Sequence, residues 1–211
     1  IKQVVSPGEL VDLGGMYDKN FVLEHPEFVE HFAEYNPSRV PRMLSRASHI
    51  DNMAKPALET IAEATQIGAG EFYQVMSEGV QSNYPVTTGL MPWVYKRPWP
   101  VVAAINLVDG MGQPSATYYF LKRTYEPTHV LLDIKRLLWA PGEAFPISVN
   151  VLNGVDRPGF KGVVQVKILD DSFREVWQVS ENVNVPEGTS VLKEDMGIYA
   201  IPQTYKEKYF F

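Results

Sequence analysis

The sequence predicts an α+β protein. Its first part is helical with one or two strands, and its second part is all-β. Three observations carry this. Pro56 to Gln81 repeats apolar side chains at three- and four-residue spacing, the period of a helix with one buried face. From Thr128 onward the period falls to two, with turn residues between the runs. Between these parts, short β-branched runs are punctuated by proline and glycine.

Each element has its own signature. Ile1 to Asn20 carries Pro7, Gly8, Gly14 and Gly15 with no sustained period and reads as loop. Pro26 to Tyr35 sets Phe28, Val29 and Phe32 among acids, a short helix with proline in its first turn. Asn36-Pro37-Ser38 breaks it, and Arg39 to Ser48 forms a second short helix with Pro41 in its first turn. The long helix follows over Pro56 to Gln81. Gly68 and Gly70 weaken it by roughly 1 kcal/mol each relative to alanine, and either allow close packing or mark a kink. Asn83-Tyr84-Pro85 stops it. Thr88 to Tyr95 and Val101 to Leu107 are too short for helices and β-branched enough for strands. Pro114 to Tyr125 is a helix with Tyr118, Leu121, Lys122 and Tyr125 on one face.

In the second part, Val130 to Ile134 is a strand and Ala140-Pro141-Gly142-Glu143 a turn. Phe145 to Leu152 alternates and ends at the Asn153-Gly154 turn signal. Val163 to Leu169 alternates up to Asp170-Asp171. Val176 to Val179 and Ile198 to Ile201 continue the series. Turn signals recur roughly every 8–12 residues, the spacing of an immunoglobulin-like sandwich. Tyr205 to Phe211 ends on an apolar run, so one or two final strands of the sandwich are expected to be missing. The expected domain boundary falls between 127 and 128, giving domains 1–127 and 128–211.

Composition bounds function. The 211 residues are 45% hydrophobic and 21% charged, an ordinary globular balance. A net charge of -6 argues against a nucleic-acid partner, which calls for a basic surface. The absence of cysteine removes disulfides, thiolate metal sites and a cysteine nucleophile together. No apolar run reaches the ~18 residues of a membrane span. No cofactor motif occurs: Gly68-Ala69-Gly70 lies inside a helix pattern and no Lys-Ser/Thr follows it. His25 and His31, six apart, fall on opposite sides of a helix, so no metal site is assigned. No Gly-x-Ser-x-Gly supports a serine nucleophile.

One stretch is specific. Gly89 to Pro127 contains Trp93, Trp99, Pro100 and Val101, then Asp109, Gly112, Pro114, Tyr118, Tyr119, Lys122 and Arg123. At this spacing it resembles the closing strand and last helix of the catalytic barrel in family 2 glycoside hydrolases, most closely the β-mannosidase branch. There the pattern is approximately Tyr-Trp-Gln-Leu-Asn-Asp-x-Trp-Pro-Val, then Asp-x-x-Gly-x-Pro-x-x-x-Tyr-Tyr-x-x-Lys-Arg. The match is good over Pro56 to Pro127, architectural through the β region, and weak before Pro56.

The resemblance implies the closing strand of a (β/α)8 barrel followed by an immunoglobulin-like sandwich. It implies a fragment of a retaining exo-β-glycosidase acting at the non-reducing end of glycans, β-mannosidase-like first and β-galactosidase-like next. Such enzymes use a carboxylic acid and a carboxylate nucleophile roughly 5–5.5 Å apart. By the family's spacing both lie upstream of Ile1. Glu9 and Glu24 lack the expected context, so no catalytic residue is assigned and the fragment alone is expected to be inactive. Its partners would be an oligosaccharide or glycan substrate and the upstream barrel and sandwich domains of the same parent chain. No cofactor is implied, and a periplasmic or secreted setting follows only by analogy.

The resemblance also names a substrate-binding set: Trp93, Lys96 and Arg97. Trp93 takes the place of the aromatic floor of the sugar subsite, offering an apolar face to the pyranose C–H bonds and an indole N–H donor. Lys96 and Arg97 replace the family's Asn-Asp. They either favour an anionic sugar or are solvated or paired elsewhere. Asp109 reads as a turn cap. The competing reading is a non-catalytic carbohydrate- or protein-binding module with Trp139 and Trp177 as platforms. Both sit in alternating patterns, where core packing is expected.

Overall fold

A computed structural model describes residues 58–96, 106–136 and 139–205. The early loop, the two short helices before residue 50, the His25/His31 pair, Glu9, Glu24, Arg97 and Trp99-Pro100 lie outside the described residues. So do most of the expected strand at 101–107 and residues 206–211. No helix among the described residues is long and apolar enough to cross a membrane.

Helix α1 spans Leu58–Gln81 and ends where the sequence predicts. Its last carbonyls are taken up locally, as helix ends require: Ser82 N–H donates to Glu78 O at 2.8 Å, and Ser82 Oγ donates to Gly79 O at 2.9 Å. Asn83 Nδ2 also donates to Gly79 O. Helix α2 spans Ala116–Thr124.

The chain divides into two units, Ile1–Ser77 with Leu90–Thr124, and Glu78–Gly89 with Tyr125–Phe211. In the first, Gly70 is a contact point. A Cβ there would stand 2.5 Å from the Phe120 ring, so glycine lets α2 approach α1. Of the two roles open to the helix glycines, close packing is the one seen at Gly70. The buried face of α2 is not the one that carries Tyr118, Lys122 and Tyr125. It consists of Thr117, Leu121 and Thr124, while Lys122 and Tyr125 are exposed. At Thr124 a buried hydroxyl pair holds this face: Ser77 Oγ donates to Thr124 Oγ1 at 2.7 Å, and Thr124 Oγ1 donates to Leu121 O at 3.0 Å. Threonine is buried here because its hydroxyl is satisfied.

The strand expected over Thr88 to Tyr95 does not form. Residues 88–95 are irregular, with one isolated parallel bridge, Lys96↔Val108, at their end. Pro92 cannot donate to a ladder. Among the backbone carbonyls of this stretch, Val94 O and Tyr95 O accept bonds from Leu107 and Val108, too few to continue a strand.

Among the described residues the second unit holds five strands in two antiparallel sheets. Strands β1 (Thr128–Leu132), β2 (Ala144–Asn153) and β5 (Thr189–Ala200) form one sheet in the order β1-β2-β5. Strands β3 (Phe160–Leu169) and β4 (Glu175–Val185) form the other. The register pairs Val130 with Val151, Val151 with Val191, and Val164 with Glu181. Pro186 closes β4, and Gly188, at φ +63°, helps lead the chain into the other sheet.

The two sheets share one core. Ile147, Val149 and Val151 come from β2, Val164 and Ile168 from β3, Val183 and Val185 from β4, and Met196 and Tyr199 from β5. Trp177 closes it over Gly197, where an added Cβ would lie 2.8 Å from the indole. The β1-β2-β5 sheet also meets the 78–89 segment of the same unit. Asn150 Nδ2 donates to Ser82 O at 3.2 Å, Ser190 Oγ to Tyr84 O at 3.0 Å, and His129 Nε2 lies 3.4 Å from Glu78 Oε1.

The β3–β4 turn is tied by one carboxylate. Asp170 Oδ1 accepts the N–H groups of Ser172 and Arg174, and its Oδ2 accepts Arg174 Nε at 2.9 Å and Nη2 at 2.7 Å. These bonds, the Arg174 side chain foremost, hold the Asp170 carboxyl down to about 2. A carboxylate depressed in the fold contributes stability above its ordinary value and loses it as pH falls. The expected result is a urea midpoint that drops between pH 3.8 and about 2. Asp170→Asn should lower the midpoint at neutral pH and flatten that part of the curve. An unchanged acid slope in the variant would contradict this.

Candidate functional site

The candidate residues lie in the first unit, on the irregular segment that takes the place of the expected strand. A small hydrogen-bonded hub fixes its backbone. Leu107 N–H donates to Val94 O at 3.2 Å and Val108 N–H to Tyr95 O at 2.8 Å. Ser115 N–H donates to Leu107 O at 2.9 Å, and Ser115 Oγ reaches Asn106 O and Leu107 O, each at 3.1 Å. Tyr73 Oη, from α1, donates to Trp93 O at 3.3 Å. The Trp93–Val94 peptide is cis.

Asp109 has the role the sequence suggests. Its Oδ1 accepts the N–H groups of Met111 at 2.9 Å and Gln113 at 2.8 Å, closing a turn that needs Gly112 at φ +87°. Its Oδ1 is therefore committed to the loop. Tyr118 and Tyr119 sit on α2 with their rings edge to face, and Lys122 is exposed on the same helix.

On this frame Trp93 is 71% exposed, with exposed Met91 and Tyr95 beside it in sequence. Among the described residues its indole N–H has no acceptor and its ring no aromatic partner. Lys96 is exposed, and its ammonium has no carboxylate partner among the described residues. An apolar ring face, an unspent N–H and an unspent cation thus sit within four residues. Arg97, the third expected member, lies outside the described residues. Asn106 is a residue the sequence reading passed over. It is buried, and its Oδ1 has no hydrogen-bond partner among the described residues. Nothing in its local pattern marks it, because burial of an isolated asparagine is a tertiary property.

Trp139 and Trp177 are not platforms. Both pack against the sandwich core. Trp177 ring lies 6.4 Å from that of Tyr199. Trp139 precedes β2 instead of standing in a strand; its ring meets Phe145 at 4.9 Å, its N–H donates to Arg136 O, and the Arg136 guanidinium covers it at 3.8 Å. Among the described residues no group of three His, Asp or Glu side chains is placed to hold a metal ion.

No protein-family model matches the sequence, and no curated protein matches it. Solved structures do. The β-D-mannosidase of Dictyoglomus thermophilum superposes with a TM-score of 0.64 at 20% identity, covering 89% of this chain and 21% of that one. The exo-chitosanase CsxA of Amycolatopsis orientalis gives 0.65 at 17% identity, over 90% and 22%. A complex of that exo-chitosanase with PNP-β-D-glucosamine gives 0.68 at 18%, over 95% and 22%. The chain has the fold of a part of family 2 glycoside hydrolases. It spans about a fifth of the length of these family 2 structures.

Proposed function

We propose that this chain is the downstream part of a retaining exo-β-glycosidase of family 2. Residues 1–127 complete the catalytic barrel, and 128–211 form the sandwich that follows it. The parent removes a terminal sugar from a glycan, with β-mannosidase-type specificity favoured and β-galactosidase-type next. The observation that carries this is Trp93, exposed on a hydrogen-bonded frame in a chain whose fold recurs in two such glycosidases.

In this reading Trp93 lies against the C–H face of the terminal pyranose, and its N–H donates to a hydroxyl. The proton donor and the nucleophile are carboxylates contributed by other parts of the parent chain, and they need no metal. The chain described here orients the sugar and does not cleave it. The alternative of a free-standing binding module loses its platforms, because Trp139 and Trp177 are committed to the sandwich core.

The test is direct. The complete polypeptide should hydrolyse an aryl β-mannoside, and the purified 211-residue chain should not. Turnover by the isolated chain above buffer background would contradict the proposal. So would a complete polypeptide inert on every aryl β-glycoside.

A further inference from the structure

We infer that Tyr73 is a positioning residue of this site: its hydroxyl holds the Trp93 backbone so that the indole stands ready for a sugar. The inference rests on the glycosidase reading above and adds the group that sets the ring's place.

One face of α1 carries it. Gln66, Gly70, Tyr73 and Ser77 are spaced four, three and four residues apart, which sets them on one side of the helix. Three of them meet α2. Gln66 Oε1 accepts the Ala116 N–H at 3.3 Å at the start of α2, Gly70 leaves room for the Phe120 ring, and Ser77 Oγ donates to Thr124 Oγ1 at 2.7 Å at its end. Between them Tyr73 reaches the segment of Trp93, where its Oη donates to Trp93 O at 3.3 Å. α2 thus locates α1 on either side of Tyr73, and Tyr73 passes that placement on to Trp93.

The bond matters because of how the indole is held. Among the described residues no hydrogen bond and no aromatic ring holds it, so its place follows from its backbone. The next two carbonyls, Val94 O and Tyr95 O, are tied to Leu107 and Val108. Those ties lie after Trp93, whereas Tyr73 fixes the peptide on which the side chain itself pivots. Without the hydroxyl, water takes over the carbonyl, since the bond lies at an exposed position, and the peptide can rock. A sugar then meets the ring in place for a smaller fraction of the time, and its apparent affinity falls by that fraction. At 3.3 Å the bond is long for a hydroxyl donor. The effect therefore belongs at the low end of a hydrogen bond's net worth, about threefold.

The experiment uses the complete polypeptide and an aryl β-glycoside that it cleaves. Tyr73→Phe keeps the ring, which stands edge to face with Phe72, and removes only the hydroxyl. It should raise KM about threefold with kcat unchanged. In a Trp93→Ala background the same change should do nothing further, because the hydroxyl acts through the indole. Ser77→Ala, on the same face of α1, is the control for a loosened helix. It should lower the urea midpoint and leave KM as it is. An unchanged KM in Tyr73→Phe would overturn the inference and leave the glycosidase reading in place. So would an equal loss with and without the Trp93 ring, a loss confined to kcat, or a KM raised as much by Ser77→Ala. A complete polypeptide that cleaves no aryl β-glycoside would overturn both.

Discussion

Replacing Ile147 by alanine is expected to cost about 2–5 kcal/mol of stability. Ile147 is fully buried on β2. It stands in the core that both sheets share, among Val149, Val164, Ile168, Val185 and Met196. Truncation removes the transfer free energy of the lost methylene and methyl groups and leaves a cavity lined by β-branched neighbours, which have few rotamers with which to fill it. A domain holds only about 5–15 kcal/mol in total, so the change takes away a large share. Ile147→Val should cost about 0.5–1.5 kcal/mol. Urea unfolding followed through Trp177, which packs against the same core, measures both. The midpoint should fall in the order wild type, valine, alanine, with little change in slope. A midpoint unmoved by Ile147→Ala would mean that the two sheets do not share this core.

The sandwich was legible because its code is local. Phe145 to Leu152 and Val163 to Leu169 alternate, and both fall inside β2 and β3. The Asp170-Asp171 turn stands where expected, and β2 ends at the Asn153-Gly154 signal, although Asn153 itself still pairs with Thr128 and Thr189. The rest of β4 and β5 was read short. Asn182, Asn184, Glu194 and Asp195 dilute the apolar signal there, although Asn182 and Asn184 pair with Val163 and Lys161, and Glu194 and Asp195 stand where the β2–β5 register shifts. Asn153 carries a role beyond a turn signal. It is buried, and its Nδ2 donates to Arg157 O, Pro158 O and Pro186 O, joining two loops that are distant in sequence. No local pattern encodes that.

The first unit was legible in its helices and misread in its strand. Periodicity located α1, but it could not say that Thr124 would be buried, since that depends on Ser77 arriving from α1. Thr88 to Tyr95 has strand composition but no pairing strand among the described residues, and β-propensity reports the fit to a neighbour more than a backbone preference. The residue types of the site were readable from spacing. Their unspent donors were not, because the absence of a partner is visible only once the surroundings are placed.

The second large effect is expected on activity. Among the described residues no hydrogen bond and no aromatic ring holds the Trp93 indole, which is 71% exposed. Its backbone carbonyl, by contrast, is tied to Tyr73. Truncating the ring should therefore spare the fold and remove a surface against which a sugar lies. Covering an aromatic face is worth about 1.5–3 kcal/mol, which corresponds to about 10- to 100-fold in rate. If the interaction strengthens as the ring flattens toward the oxocarbenium-like transition state, the loss appears in kcat as well as KM.

The decisive measurement is kcat/KM of the complete polypeptide for an aryl β-mannoside, wild type against Trp93→Ala, with urea midpoints recorded in parallel. The account predicts a fall of about 10- to 100-fold with an unchanged midpoint. Equal kcat/KM in the two proteins, or a fall that merely tracks lost stability, would contradict it.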